Sequence, residues 1–227
     1  MPHTHHSTYQ TSNCAGDPSP RKRLAKRQIY PNSCGAAALL CAAKELGVCQ
    51  MPMYSGSMSA QLGVDTLELD NRCETDLYKI TSGSTTYRKG ETNLNKAGYS
   101  MPDNIVIAGR LLGLTMRVEK DQRLLAKALN SLYPKIESEL MAMGCPVVPP
   151  LHPLRLNELK LEALAVSVVG LPIGLHWVVL RPDGSYMDPG TGTNYMDFSA
   201  LNKGAKQTVS RVVGYYHSGI SIVATRD

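Results

Sequence analysis

The chain holds six cysteines and six histidines, the residues that could supply a nucleophile and a proton carrier. One cysteine is placed unlike the others. Cys34 stands in "QIYPNSCGAAALL", after Asn32 and Ser33, either of which suits a helix N-cap. Gly35 follows it, then an apolar run that stops at Gly47, which predicts a helix of about four turns with a thiol at its start. Unpaired backbone N–H groups and the positive end of the helix dipole stabilise a thiolate there, and a thiolate is the nucleophilic form. Gly35 leaves room for a substrate backbone, having no Cβ. Buried cysteines in alanine-rich helices are common, so this pattern alone does not establish catalysis.

A thiolate nucleophile needs an imidazole to hold the ion pair and protonate the leaving group, and a third group to orient that imidazole. His3, His5 and His6 lie in a polar tail, His152 stands between prolines in "PPLHPL", and His217 falls in the last strand region. His176 is different. It lies in the apolar run "LHWVVL", read as a buried strand that opens after Gly174. The turn signal "RPDG" follows, and the returning strand ends at Asp188, so a hairpin can bring that carboxylate beside His176. Gln28, six residues before Cys34, could offer its amide to the oxyanion formed on attack, with the Cys34 backbone N–H as second donor. Gly35, Gly174 and Trp177 are the candidates for lining a substrate cleft. Asp197 and Asn194 read as capping or turn residues.

The elements that must position these groups follow from the rest of the chain. Helical spacing recurs in "PDNIVIAGRLLG", with Asp103 as cap, and in "QRLLAKALNSLYPKIESELMAMG", broken near Pro134. "LTMRVEK", "CPVVPPL" and "QTVSRVVGYYHSGISIVAT" read as strands. Residues 50–100, rich in Gly, Ser and Thr, are expected to be an elaborated insertion with little regular structure. Helices come mostly first and strands mostly last, which predicts an α+β fold.

The 227 residues suffice for one domain with a tail, and 43% hydrophobic with 19% charged residues is a globular composition. Of the net charge of +5, +4 falls in residues 1–27, which read as a disordered basic leader ahead of a domain at 28–227. The balanced remainder gives no reason to expect nucleic-acid binding. The leader lacks the apolar stretch of a secretory signal, so a soluble protein is expected, cytoplasmic or exported without a cleaved signal. The uncharged run 163–180 is interrupted by Gly170, Pro172 and Gly174 and predicts strand rather than a membrane span. The cysteine spacing fits neither a zinc site nor a disulfide framework, so the cysteines other than Cys34 are expected as plain thiols, with no metal or cofactor.

"Q-IYPNS-CGAAALL" resembles the nucleophile segment of papain-like cysteine peptidases, most closely the bacteriocin-processing peptidases that cleave after a double glycine. "LHWVVLRPDGSYMDPGTG" resembles that family's segment with a histidine, a hairpin turn and an Asp-Pro. The resemblance spans most of residues 28–200. It implies a papain-like fold, with Cys34 as nucleophile, His176 as general base and acid, Asp188 as orienting carboxylate and Gln28 in the oxyanion hole. Aspartate in the third role also resembles secreted bacterial effector proteases and glutamine deamidases. A cysteine endopeptidase acting on a protein or peptide substrate, with the features of a bacterial effector, is therefore the leading expectation. A glutamine deamidase or transglutaminase-like enzyme needs the same constellation, and a non-catalytic binding protein would tolerate its loss.

Overall fold

The structure is a computed structural model, and it describes residues 23–54, 61–83, 93–121, 136–150, 153–168, 171–208 and 210–226. The His3, His5, His6, His152 and Cys14 positions, and the whole of the expected helix before Pro134, lie outside these residues. The domain is α+β, as the element order predicted.

Helix α1 (Cys34–Glu45) is its centre, with every residue but Lys44 buried. A helix apolar all round belongs inside a molecule rather than on its surface. Its alanines keep it thin enough for strands and helices to pack around it. Its last turn closes at Leu46, and Gly47 turns the chain away at φ +82°, a left-handed conformation that glycine accepts without a Cβ clash.

Residues 50–54 and 61–83 are more regular than their composition suggested. Strands β1 (Gln50–Tyr54) and β2 (Gln61–Thr66) form a separate antiparallel pair. Helix α2 (Asn71–Thr81) follows, capped by Asp70, whose side chain accepts the Cys73 N–H at 2.7 Å. Cys73, Glu74, Leu77 and Tyr78 form its buried face, which packs against α1. A short 3₁₀ turn (Leu94–Lys96) leads to α3 (Pro102–Leu111). Asp103, expected as its cap, sits in the first turn, because Pro102 already occupies the N-terminal helical position, where its missing N–H costs nothing.

The second half builds a seven-stranded sheet, in the order β4-β3-β9-β5-β6-β7-β8. Its strands are β3 (Thr115–Lys120), β4 (Val147–Val148), β5 (Glu158–Val168), β6 (Leu171–Leu180), β7 (Tyr186–Asp188), β8 (Thr193–Tyr195) and β9 (Val213–Thr225). Only the β3–β4 pair is parallel. The apolar run 163–180 is thus the end of β5 and all of β6, two antiparallel strands. Among the described residues no helix is long and apolar enough to cross a membrane. Helices α4 (Ile136–Ala142) and α5 (Phe198–Thr208) complete the fold; Asp197 caps α5 by accepting the Ala200 N–H at 2.7 Å.

The basic segment enters the domain earlier than its charge implied. Residues 23–27, expected within a disordered leader, are built into the structure. Leu24 and Lys26 are buried, and the Lys26 ammonium lies 2.5 Å from the Glu74 carboxylate. Arg181 grips Glu45 through two bonds of 2.6 and 2.8 Å, while Leu24 donates its N–H to Glu45 and accepts from Arg181. Complementary buried carboxylates, invisible in the segment itself, are the reason it is held. Cys41, Cys73 and Cys145 are free, buried thiols, and Cys34 is free and buried as well.

Candidate active site

Cys34 is the first residue of α1 and only 2% exposed. The N-terminal end of α1 meets β6, which carries His176. β6 begins at Leu171, so His176 stands mid-strand rather than at its opening, paired across the ladder with Leu164 of β5. The ladder from β6 to β7 spans only Val179 and Leu180, which leaves the flank of β6 at His176 open to α1.

The Asp188 carboxylate ends β7 and reaches back to that flank. His176 Nε2 and Asp188 Oδ1 are 2.6 Å apart, and the same oxygen accepts the Gly190 N–H at 2.7 Å. With Nε2 engaged, Nδ1 is the ring nitrogen left to face the Cys34 thiol, which is close enough to help raise the His176 pKa. Burial alone would push the His176 pKa down. The Asp188 carboxylate, its hydrogen bond and the neighbouring Cys34 outweigh burial, and the value is pushed up to about 10. Burial alone would raise the Asp188 pKa; the adjacent imidazole, its hydrogen bond and the Gly190 N–H hold it below the usual carboxylate value. The pair is therefore an imidazolium and a carboxylate at neutral pH.

Gln28 is fixed by its backbone, whose N–H donates to the Pro189 carbonyl at 2.9 Å. This bond ties the segment before the nucleophile to the turn after Asp188. Its side-chain amide gives both protons to backbone carbonyls, of Tyr30 and Pro31, each at 2.9 Å. In this arrangement it offers no N–H to a reacting carbonyl, and its own oxygen has no hydrogen-bond partner among the described residues. The first-turn amides of α1, by contrast, have no partner within the helix and no side-chain cap.

Of the three other sequence candidates, Gly35 and Trp177 serve the packing. A Cβ on Gly35 would come within 2.4 Å of the Ser100 Cβ, so this glycine lets the Ser100 loop close on α1. Trp177 is fully buried and donates its indole N–H to the Ser100 carbonyl at 2.9 Å, on the face of β6 away from His176. Gly174 is partly exposed on the His176 face, with the Tyr99 hydroxyl 3.1 Å from where its Cβ would stand.

Three residues of the site were not read from the sequence. Tyr215 of β9 stacks on the His176 ring, centroids 5.3 Å apart at 23°. Gly190 lies close against the pair, since a Cβ there would stand 3.1 Å from Asp188 Oδ1 and 3.3 Å from His176 Cε1, tighter than an ordinary contact. Glu74 accepts from the segment leading to Cys34. The glycine after Asp188-Pro189 was a usable signal; the other two contacts are long-range and left none.

A helix-borne thiol beside a buried imidazole–carboxylate pair is the apparatus a cysteine protease requires, and comparison with known proteins puts the chain in that class. It belongs to the family described as invasion plasmid antigen J, cysteine protease, whose model matches residues 26–227. The cysteine protease IpaJ of Shigella flexneri is 52% identical over 204 residues, covering 90% of this chain and 79% of that protein. No solved structure matches the chain. Among the described residues no group of three or more His, Cys, Asp or Glu side chains could hold a metal ion.

Proposed function

We propose that this protease is a papain-like endopeptidase acting through Cys34, His176 and Asp188, and that its biological setting is a bacterial effector exported without a cleaved signal. The observation that carries the catalytic assignment is the division of the His176 ring: Nε2 is held by Asp188 at 2.6 Å, leaving Nδ1 to Cys34. Support for a papain-like arrangement comes from the placement of the parts, with the nucleophile opening a central helix and the histidine on an antiparallel strand beside it. The family description as an invasion plasmid antigen, and a relative in Shigella flexneri, support the effector setting.

In the reaction, the Cys34 thiolate attacks the scissile carbonyl carbon. Negative charge passes to the carbonyl oxygen, facing the free amides of the first turn of α1. The Gln28 amide joins them if it turns over and exchanges its N–H₂ for the buried oxygen. The His176 imidazolium then gives its Nδ1 proton to the departing amine, the C–N bond breaks, and a thioester to Cys34 remains. Neutral His176 takes a proton from water, which attacks the thioester. The new carboxylic acid leaves and the thiolate–imidazolium pair is restored. Asp188 keeps Nε2 protonated and the ring turned toward Cys34 throughout.

New peptide N-termini appearing in a human-cell lysate, mapped by mass spectrometry, test this reading. Wild-type protein should generate a set absent with Cys34→Ala and with His176→Ala. The same set from either variant would remove those residues from the mechanism.

A further inference from the structure

The segment that delivers Cys34 to the site is held by a carboxylate from another helix. Glu74, in the first turn of α2, is fully buried. Its Oε1 accepts the Ile29 N–H at 2.9 Å and the Ser33 hydroxyl at 2.6 Å. The Lys26 ammonium sits 2.5 Å from Oε2 and also donates to Asn71 Oδ1 and the Arg27 carbonyl, each at 3.2 Å. One carboxylate thus pins three points on residues 26–33, on both sides of Gln28 and up to the residue before Cys34.

The Ser33 contact has a second effect. Serine at an N-cap ordinarily accepts an N–H from the first turn of its helix. Here the Ser33 side chain makes no such bond. Its hydroxyl faces Glu74 and the Tyr30 carbonyl, and its oxygen accepts the Tyr30 N–H at 3.1 Å. The amides at the start of α1 are left unclaimed, and these are the groups positioned to stabilise a thiolate and an oxyanion.

We propose that Glu74 is a positioning residue of the active site: by accepting from Ile29 and Ser33 it fixes the approach to Cys34 and keeps Ser33 from capping α1. This rests on the reading of Cys34 as the nucleophile. Glu74 works through hydrogen-bond acceptance, and Lys26 balances the charge that this places in the interior.

Two double variants separate acceptance from charge. Lys26→Met with Glu74→Gln, and Lys26→Met with Glu74→Leu, both turn the ion pair into a neutral pair, but only glutamine keeps an acceptor for Ile29 and Ser33. The measurement is the second-order rate of Cys34 carbamidomethylation by iodoacetamide from pH 5 to 9, read by peptide mass spectrometry. Thermal melts of each variant confirm that the rates are taken on folded protein. The glutamine pair is expected to stay within about threefold of wild type with the same pH midpoint. The leucine pair should lose on the order of tenfold or more in rate, since small misplacements of a reacting group cost that much or more, and its midpoint should move up. Equal rates and midpoints for the two pairs would overturn the proposal, as would a leucine-pair loss that follows only the unfolded fraction. A wild-type rate insensitive to His176→Ala would instead count against the catalytic reading of Cys34, while the contrast between the two pairs would still report on Glu74.

Discussion

Two histidine–carboxylate pairs stand on the same sheet, and they differ in what surrounds them. His176 and Asp188 are 2.6 Å apart with side chains 10% and 0% exposed; His217 and Glu162 are 2.7 Å apart at 48% and 14%. Each ring is stacked on an aromatic side chain, Tyr215 in the first case and Phe198 in the second. Bond length and ring stacking therefore do not distinguish them. The difference is that the first ring is buried next to the Cys34 thiol, whereas the second, on β9, is half exposed. A carboxylate beside an imidazole becomes catalytic apparatus through burial and a nucleophile, not through the pair itself.

The largest expected effect is the loss of lysate proteolysis in Cys34→Ala, on the order of 10⁴-fold or more, as for removal of a nucleophile elsewhere. His176→Ala should be nearly as severe, and His217→Ala should stay close to wild type; comparable losses in the two histidine variants would break the comparison. Asp188→Asn comes next. It keeps the shape of the turn but removes the charge that holds the imidazolium, and should lower activity by orders of magnitude while the protein stays folded by circular dichroism.

The pH dependence of stability sharpens the same contrast. The His176 pKa is raised from 6.5 to about 10, so its contribution is fully present below pH 6.5 and is lost as pH rises through about 10. The Asp188 pKa is lowered from 3.8, so its contribution is present above pH 3.8 and is lost as pH falls through the lower folded value. Thermal melts should show the widest gap between wild type and His176→Ala from about pH 4 to 6.5, closing toward pH 10. A gap that does not change with pH would mean the buried pair is not ionic. The smallest effect is expected for Tyr215→Leu. An aromatic pair contributes about 0.5–1.5 kcal/mol beyond its buried area, so losing the stacking should lower activity by no more than roughly tenfold.

The candidate site was more legible in the sequence than the parts that hold it. Cys34 announced itself through a helix start, and His176 with Asp188 through a hairpin signal, because both are local patterns. β5 was missed because "ELKLEALAVSV" runs into the apolar stretch of β6 with only residues 169 and 170 between them. α2 was missed because the Gly, Ser and Thr content of its flanks hid a capped helix with Cys73, Leu77 and Tyr78 on one face. The leader boundary was set at residue 27 by charge, yet Lys26 belongs inside because Glu74, 48 positions away, receives it. Contacts of that range leave no mark in either segment. The same reason kept Tyr215 and Glu74 out of the site as first read.

The central claim is that Cys34 is activated by His176 and not by His217. Intact-protein mass spectrometry after limiting treatment with a thiol-reactive peptide electrophile, on wild type, Cys34→Ala, His176→Ala and His217→Ala, tests it directly. The account predicts a single adduct on wild type, none on Cys34→Ala, sharply slowed labelling in His176→Ala and an unchanged rate in His217→Ala. Labelling spread over several cysteines, at a rate indifferent to His176, would contradict it and leave Cys34 a core thiol.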